Sequence, residues 1–183
     1  MRRSILISTA SLVMVFSNCI EATSSLPNRL DVRQVGDDPA GCLPANYTHA
    51  IELDRAFVVE ESHKENQSPS RWTMERMPGA KPHVLQPGEC VVFHGTLSGY
   101  QQAGELTWQE GESYVFVLER VDDSKIKGRL NYVGAFCVMR TPDHRLLFLP
   151  YVDHPDGTTT YPPCGRRIGG PPASDGITPP AFH

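Results

Sequence analysis

Aspartate and histidine occur side by side at two places in the C-terminal half of the chain, and these two residue types can bind a metal ion or transfer a proton. Asp143-His144 and Asp153-His154 stand at the two ends of the apolar run from Leu146 to Val152. If that run is a strand, the two pairs lie roughly 20 Å apart, at about 3.3 Å per residue. They could share one ion only if the connecting loop folded back, so we interpret both pairs as turn residues.

Ser98 lies in the sequence Gly95-Thr96-Leu97-Ser98-Gly99, which superficially resembles the nucleophile elbow of serine hydrolases. The serine stands one position later here than in that motif. The pattern of a strand followed by a helix, which presents the nucleophile, is also missing from this stretch. We therefore interpret the segment as a turn, and we assign the chain no catalytic residue, no metal site and no cofactor.

Five cysteines are present, and their placement favours structural bridging over thiol chemistry. Cys42, Cys90, Cys137 and Cys164 lie in or near segments that are rich in β-branched and aromatic residues, and they lack the spacing of a zinc site. An even number in an exported domain predicts two disulfides, for which three connectivities are open. The pairing that we favour is Cys42 with Cys90 and Cys137 with Cys164.

The N-terminus predicts export. Arg2 and Arg3 precede an apolar run that ends at Phe16, and small or polar residues follow. The run is too short to span a bilayer, so residues 1–22 are expected to be a secretory signal peptide rather than an anchor. Two alternatives stay open at its end: lipidation of Cys19, which follows a sequence loosely resembling a bacterial lipobox, or cleavage after Ala22, which removes Cys19.

Short runs of β-branched and aromatic residues, separated by Gly, Pro or charge, predict an all-β fold. Residues 114–118 are apolar on both faces and should form a central strand, and 129–152 should form a hairpin. Residues 29–35 should form a first strand, with the return strand beginning at Cys42. The segment from Arg71 to Met77 is expected to be a strand, with a short helix as the alternative.

About seven such strands predict an antiparallel β-sandwich, immunoglobulin-like in type, with a small closed barrel as the competing architecture. The sandwich domain should cover residues 23–168, starting with a polar tether. Residues 169–183 are rich in Pro and Gly and are expected to be a disordered tail. A net charge of −4, without a concentrated basic face, argues against a nucleic-acid partner.

The connection from Gly95 to Gly111 is the segment most suited to contact a protein partner. It is long and lies between two predicted strands. It carries aromatic and amide side chains, which are Tyr100, Gln101, Gln102 and Trp108. Tyr and Trp are enriched among the residues that dominate binding energy at protein interfaces, although core packing is the more ordinary role for Trp108 and for Trp72.

The order of several short motifs resembles the small immunity lipoproteins associated with bacterial type VI secretion systems. The likeness covers roughly Cys19 to Arg140. Its elements are a cysteine near the end of the export signal, the sequence Asn28-Arg29-Leu30, the early Cys42, Pro87-Gly88-Glu89-Cys90, Gly111-Glu112-Ser113-Tyr114, and Tyr132 followed by Phe136-Cys137. The resemblance implies a non-catalytic periplasmic protein that binds an incoming toxin and occludes its active site.

These observations predict an exported, non-catalytic binding protein that neutralises a cognate toxin protein in the periplasm. Contact with the membrane is expected only through a lipid on Cys19. The alternative is a structural or assembly lipoprotein of the cell envelope that has no toxin partner.

Overall fold

A computed structural model describes residues 27–61, 71–122, 131–154 and 158–164. The signal peptide predicted for residues 1–22, with Cys19, lies outside the described residues. So do the first residues of the predicted tether and the tail predicted for 169–183.

All regular structure in this part of the chain is β, so the predicted fold class is confirmed. The strands, in chain order, are β1 (Asn28–Arg29), β2 (Asp31–Val35), β3 (Asp38–Cys42), β4 (Ile51–Glu60), β5 (Arg71–Arg76), β6 (His83–Leu85), β7 (Cys90–Val92), β8 (Tyr100–Ala103), β9 (Ser113–Arg120), β10 (Asn131–Arg140), β11 (Leu146–Pro150), β12 (Val152–Asp153) and β13 (Thr159–Thr160). These outnumber the seven or so expected, because five of them have only two or three residues.

Eight of the strands form one large sheet. Its order is β1-β10-β9-β4-β5-β8, and β11 and β6 also pair with β10 and β4 respectively. Every pair is antiparallel except β1 with β10. The strand β9 lies inside the sheet, as its apolar residues on both faces predict, and Tyr114, Phe116 and Leu118 are fully buried. The strands β10 and β11 form the predicted hairpin.

A second sheet of three strands, ordered β2-β3-β7, packs on the large one. The two layers approach closely at Gly41 of β3, where a Cβ atom would lie 2.7 Å from the ring of Phe116 in β9. The absence of a side chain at Gly41 therefore lets the two layers meet. The sheets are open at their edges, so the described strands form a sandwich and not a closed barrel.

The return strand of the first hairpin begins earlier than predicted. The strand β3 starts at Asp38 and ends at Cys42, whereas the sequence was expected to place its start at Cys42. The chain reverses directly after Val35 because Gly36 adopts a φ of 62°, which glycine allows at little cost. Pro39 is tolerated because it precedes residues 40–42, the part of β3 that pairs with β7.

Both predicted disulfides are confirmed. Cys42 and Cys90 are direct register partners in β3 and β7 and are bonded to each other. Cys137 of β10 is bonded to Cys164, which follows β13. Two disulfides are compatible with an extracellular or periplasmic location, where such bonds persist.

Aromatic rings fill the space between the layers. Trp72 is fully buried and its ring centroid lies 5.0 Å from that of Phe93. These two rings belong to one cluster of buried apolar side chains that come from both sheets: Val32 and Val91 from the smaller, and Leu53, Met74, Leu85, Tyr114, Phe116, Leu118, Phe136, Val138 and Phe148 from the larger. Trp72 is thus a core residue, which was its more ordinary interpretation from the sequence.

Candidate protein-binding surface

The connection from Gly95 to Gly111 contains one strand, β8, which lies at the end of the large sheet. It pairs with β5 on one side, and among the described strands none pairs with its other side. Residues 101–105 are all exposed. The segment that the sequence identified as a candidate partner contact therefore contains an edge strand, and most of this strand faces solvent.

Tyr100 begins this edge and is tied to the interior by its hydroxyl group. The hydroxyl donates a hydrogen bond to the carbonyl of Leu53 at 2.5 Å and accepts one from the backbone N–H of His83 at 2.9 Å. Both groups lie beside the irregularity between Leu53 and Arg55, where β4 changes its pairing from β6 to β5. Burial raises the pKa of Tyr100. Its hydroxyl stabilises the sheet through these two hydrogen bonds and is not directed at a partner.

Gln102 is exposed, yet both ends of its amide group are held within the protein. Its Oε1 accepts a hydrogen bond from Nε1 of the buried Trp72 at 3.0 Å. Its Nε2 donates to the carbonyl of Gly95 at 2.8 Å. The amide therefore joins the edge strand to the core and to the loop that follows β7, and this fixes the strand's position.

Gln101 lies on the opposite face of β8 and ends a row of polar side chains that crosses four strands. In register order the row is Glu119, Arg55, Glu75 and Gln101. Arg55 bonds to Glu119 at 2.6 Å and to Glu75 at 3.5 Å. Burial alone would lower the pKa of Arg55, but the hydrogen bonds and charges of the two glutamates outweigh it and raise that pKa.

Trp108, the fourth residue predicted to contact a partner, is half-buried and packs against the aromatic core. Its ring centroid lies 4.7 Å from that of Phe93, 4.9 Å from Tyr114 and 5.1 Å from Phe148. Aromatic contacts of this kind stabilise a core by more than the burial of their apolar area alone. Trp108 thus supports the fold, while Gln101 and Gln102 line the exposed edge.

His94 is a surface residue of this region that the sequence did not single out. It is exposed, its ring stacks on Phe93 at 3.9 Å, and it lies edge-on to Trp72 at 6.1 Å. Its φ of 56° is in the left-handed region, which is uncommon outside glycine but is enriched in histidine. The only sequence signal was the neighbouring Gly95, which marked the end of an apolar run.

The two Asp-His pairs and Ser98 lie apart from one another. Asp143-His144 and Ser98 are in turns, as expected, but Asp153 belongs to the short strand β12 and pairs with Thr159 of β13, so the interpretation of the second pair as turn residues was wrong. Asp143 pairs with Arg145 at 2.6 Å, and hydrogen bonds from Thr141 and then from Arg145 hold the pKa of Asp143 below its usual value. Ser98 is exposed in a turn, and the strand β8 follows it rather than a helix.

The second pair is held by threonines. Asp153 accepts a hydrogen bond from the hydroxyl of Thr159 at 2.7 Å, and the ring of His154 shares one with the hydroxyl of Thr160 at 2.7 Å. Within the described ranges, no three His, Cys, Asp or Glu residues are grouped so that they could hold a metal ion. The same ranges contain no helix long and apolar enough to cross a membrane.

Comparison of the chain with protein-family models, with curated proteins and with solved structures gives no match in any of the three.

Proposed function

We propose that this chain is an exported, non-catalytic binding protein, and that it acts in the periplasm as an immunity protein that neutralises a secreted bacterial toxin. The observation that carries the proposal is the edge strand β8, whose residues 101–103 are exposed and which Tyr100 and Gln102 hold to the rest of the fold. A surface fixed before contact avoids the entropy cost of ordering loops on binding. Tight inhibitors benefit most from such an arrangement.

The two disulfides support the same proposal. Cys42–Cys90 joins two strands of the smaller sheet, and Cys137–Cys164 holds the chain that follows β13 against the larger one. Cross-links of this kind restrict the unfolded state and so stabilise a folded domain in an oxidising compartment. For a protein that must meet toxins outside the cytoplasm, the periplasm fits this chemistry, whether Cys19 carries a lipid or is removed.

Cys19 lies outside the described residues, but other motifs that resemble the immunity lipoproteins fall on structural positions. Cys90 lies in β7 and is bonded to the early Cys42, and Cys137 lies in β10. Tyr114 is buried in β9, and its hydroxyl accepts the N–H of Gln109 at 2.9 Å. The resemblance therefore rests on residues that build the sandwich, and partner recognition would fall to the more exposed segments between them.

A pull-down from envelope extract of the source bacterium tests the proposal. The bait is the domain beginning at Thr23, oxidised, with mass spectrometry of whatever it retains at high salt. Recovery of one toxin-like protein in near-equal amount, together with protection of cells that express this toxin in the periplasm, is the expected result. A folded, oxidised bait that retains nothing would overturn the proposal and favour a structural role in the envelope.

A further inference from the structure

We propose that the partner binds by adding an extended segment as a new strand along the free edge of β8. This inference rests on the proposed function and names the surface and the kind of contact. Strand addition to a sheet edge is a general mode of recognition, in which backbone hydrogen bonds supply affinity and neighbouring side chains supply specificity.

The backbone of β8 has the groups that such a strand requires. The N–H of Met77 donates to the carbonyl of Gly99 at 2.9 Å, so Gly99 faces β5. In an antiparallel strand the backbone N–H and C=O groups of successive residues point alternately toward one neighbour and away from it. The backbone groups of Gln101 and Ala103 therefore also point toward β5, whereas those of Tyr100 and Gln102 point away from it. The N–H of Tyr100 bonds to the carbonyl of Leu97. The carbonyls of Tyr100 and Gln102 and the N–H of Gln102 are then directed at an incoming strand.

Two features that normally protect sheet edges, charge and proline, are absent from β8. Such edges usually carry charged residues or proline, or are covered by other chain. The strand β8 reads Tyr-Gln-Gln-Ala, with no charge and no proline. By contrast, the edge of β11 is covered: the side chain of Gln34 donates to the carbonyl of Leu146 at 3.2 Å and accepts the N–H of Phe148 at 3.4 Å. Of these two edges of the large sheet, β8 is the one left uncovered by the part of the chain that the structure describes.

His94 and Gly95 lie next to this edge, on the face of the sheet that Gln102 turns toward. The carbonyl of Gly95 accepts a hydrogen bond from the side chain of Gln102. The exposed imidazole of His94 stacks on Phe93 and lies edge-on to Trp72. Alternate side chains of an added strand would point to this face and could pack on the imidazole. We therefore assign His94 a role in specificity, as a rigid side chain beside a backbone-binding edge.

Two variants of Gln102 separate the backbone contribution from the side-chain one. Gln102→Ala and Gln102→Pro both lose the bonds to Trp72 and Gly95, but only proline loses the outward N–H, and edge strands accept proline. With the toxin recovered by the wild-type protein, Gln102→Pro should bind about ten-fold more weakly than Gln102→Ala, because it leaves a buried carbonyl of the partner unpaired. Equal affinities for the two variants would overturn strand addition.

Hydrogen exchange in the wild-type protein tests the same contact without any substitution, in case Gln102→Pro fails to fold. The amide of Gln102 should exchange at least about ten-fold more slowly in the complex, whereas the amide of Val35, on an exposed position of β2, should not change. An unchanged amide at Gln102 would overturn the inference and leave the proposed function standing. A bait that captures no toxin would overturn both.

The same edge could instead pair with a second copy of this chain, and sedimentation of the purified domain tests that outcome. We expect a monomer for the wild-type protein at micromolar concentration. A wild-type dimer that Gln102→Pro converts to a monomer would overturn the assignment of the edge to a toxin segment.

Discussion

The indole N–H of Trp72 donates to Oε1 of Gln102 at 3.0 Å, so one hydrogen bond joins a fully buried ring to an exposed residue of the edge strand. The same amide donates to the carbonyl of Gly95. Gln102 thereby ties three parts of the chain together: β5, β8 and the turn after β7. The candidate binding edge is for this reason part of the rigid framework and not a loop appended to it.

Gln102→Ala should lower the free energy of unfolding by about 1–2 kcal/mol, because the N–H of the buried Trp72 loses its acceptor. Gln101→Ala is the matched control, since Gln101 lies next to it on the outer face, and should change stability by no more than about 0.5 kcal/mol. Urea denaturation followed by tryptophan fluorescence measures both. Equal losses for the two variants would show that the Trp72 bond contributes little.

Tyr100→Phe should cost about 1–3 kcal/mol, because the carbonyl of the buried Leu53 and the N–H of His83 would both lose the hydroxyl between β6 and β8. The control is Tyr161→Phe: the ring of Tyr161 packs on Tyr151, and among the described residues its hydroxyl makes no hydrogen bond. Thermal unfolding at neutral pH compares them. A Tyr100→Phe variant as stable as Tyr161→Phe would contradict the bridging role.

Alkaline pH should destabilise the protein through Tyr114, which is fully buried. Burial raises the pKa of Tyr114 above its ordinary value of about 10, so the folded state holds that proton more tightly than the unfolded state. Stability is then fully present below about pH 10 and falls as the pH rises through the pKa of the folded state. Urea midpoints at pH 8 and at about pH 11 should differ more for the wild type than for Tyr114→Phe. An equal difference would assign the loss to other groups.

Much of the fold could be predicted from the sequence because the strongest signals are local. The apolar run of β9 and the hairpin of β10 and β11 follow from residue type and spacing, and both are confirmed. The even number of cysteines predicted two disulfides but left three connectivities open, and the structure has the pairing that we favoured. The start of β3 could not be placed, because Gly36-Asp37-Asp38-Pro39-Ala40-Gly41 contains more turn-forming residues than the two-residue turn uses. Turn composition does not show where a turn ends.

The candidate surface was predicted only in part, for a physical reason. Sequence spacing identified the segment that contains Tyr100 and Gln102, but not the long-range partners that fix their roles. Tyr100 bonds to residues in β4 and β6, and Trp108 packs on Phe93, which directly follows β7, and on rings from β9 and β11. His94 combines a left-handed backbone with a ring stacked on Phe93, and the sequence marks neither feature. None of these contacts is visible before the sheets are assembled.

Gly41→Ala should destabilise the sandwich by about 1–3 kcal/mol through overpacking. The new Cβ would lie 2.7 Å from the ring of Phe116 and 2.8 Å from the side chain of Leu30, and the layers would have to separate. Gly36→Asn is the control: this position has a φ of 62° and open space around it, and asparagine tolerates that conformation. Calorimetric unfolding should show a clear loss for Gly41→Ala alone. Equal losses of stability in Gly41→Ala and Gly36→Asn would show that the cost arises from the backbone and not from the contact between the layers.

Removal of each disulfide tests which cross-link stabilises the sandwich more. The chain-entropy relation predicts about 4 kcal/mol for Cys42–Cys90 and about 3.5 kcal/mol for Cys137–Cys164, from sequence separations of 48 and 27 residues. The entropic contributions of the two loops are thus nearly equal, so any larger difference in stability must come from packing.

Cys42 is fully buried beside the interlayer contact at Gly41, whereas Cys164 is only half-buried. The double variant Cys42→Ala/Cys90→Ala should therefore have the lower urea midpoint. It should also bind the toxin more weakly, because β7 leads through His94 and Gly95 to Gln102 on the binding edge. A variant without this bond that keeps both its stability and its affinity would show that side-chain packing alone holds the edge in place.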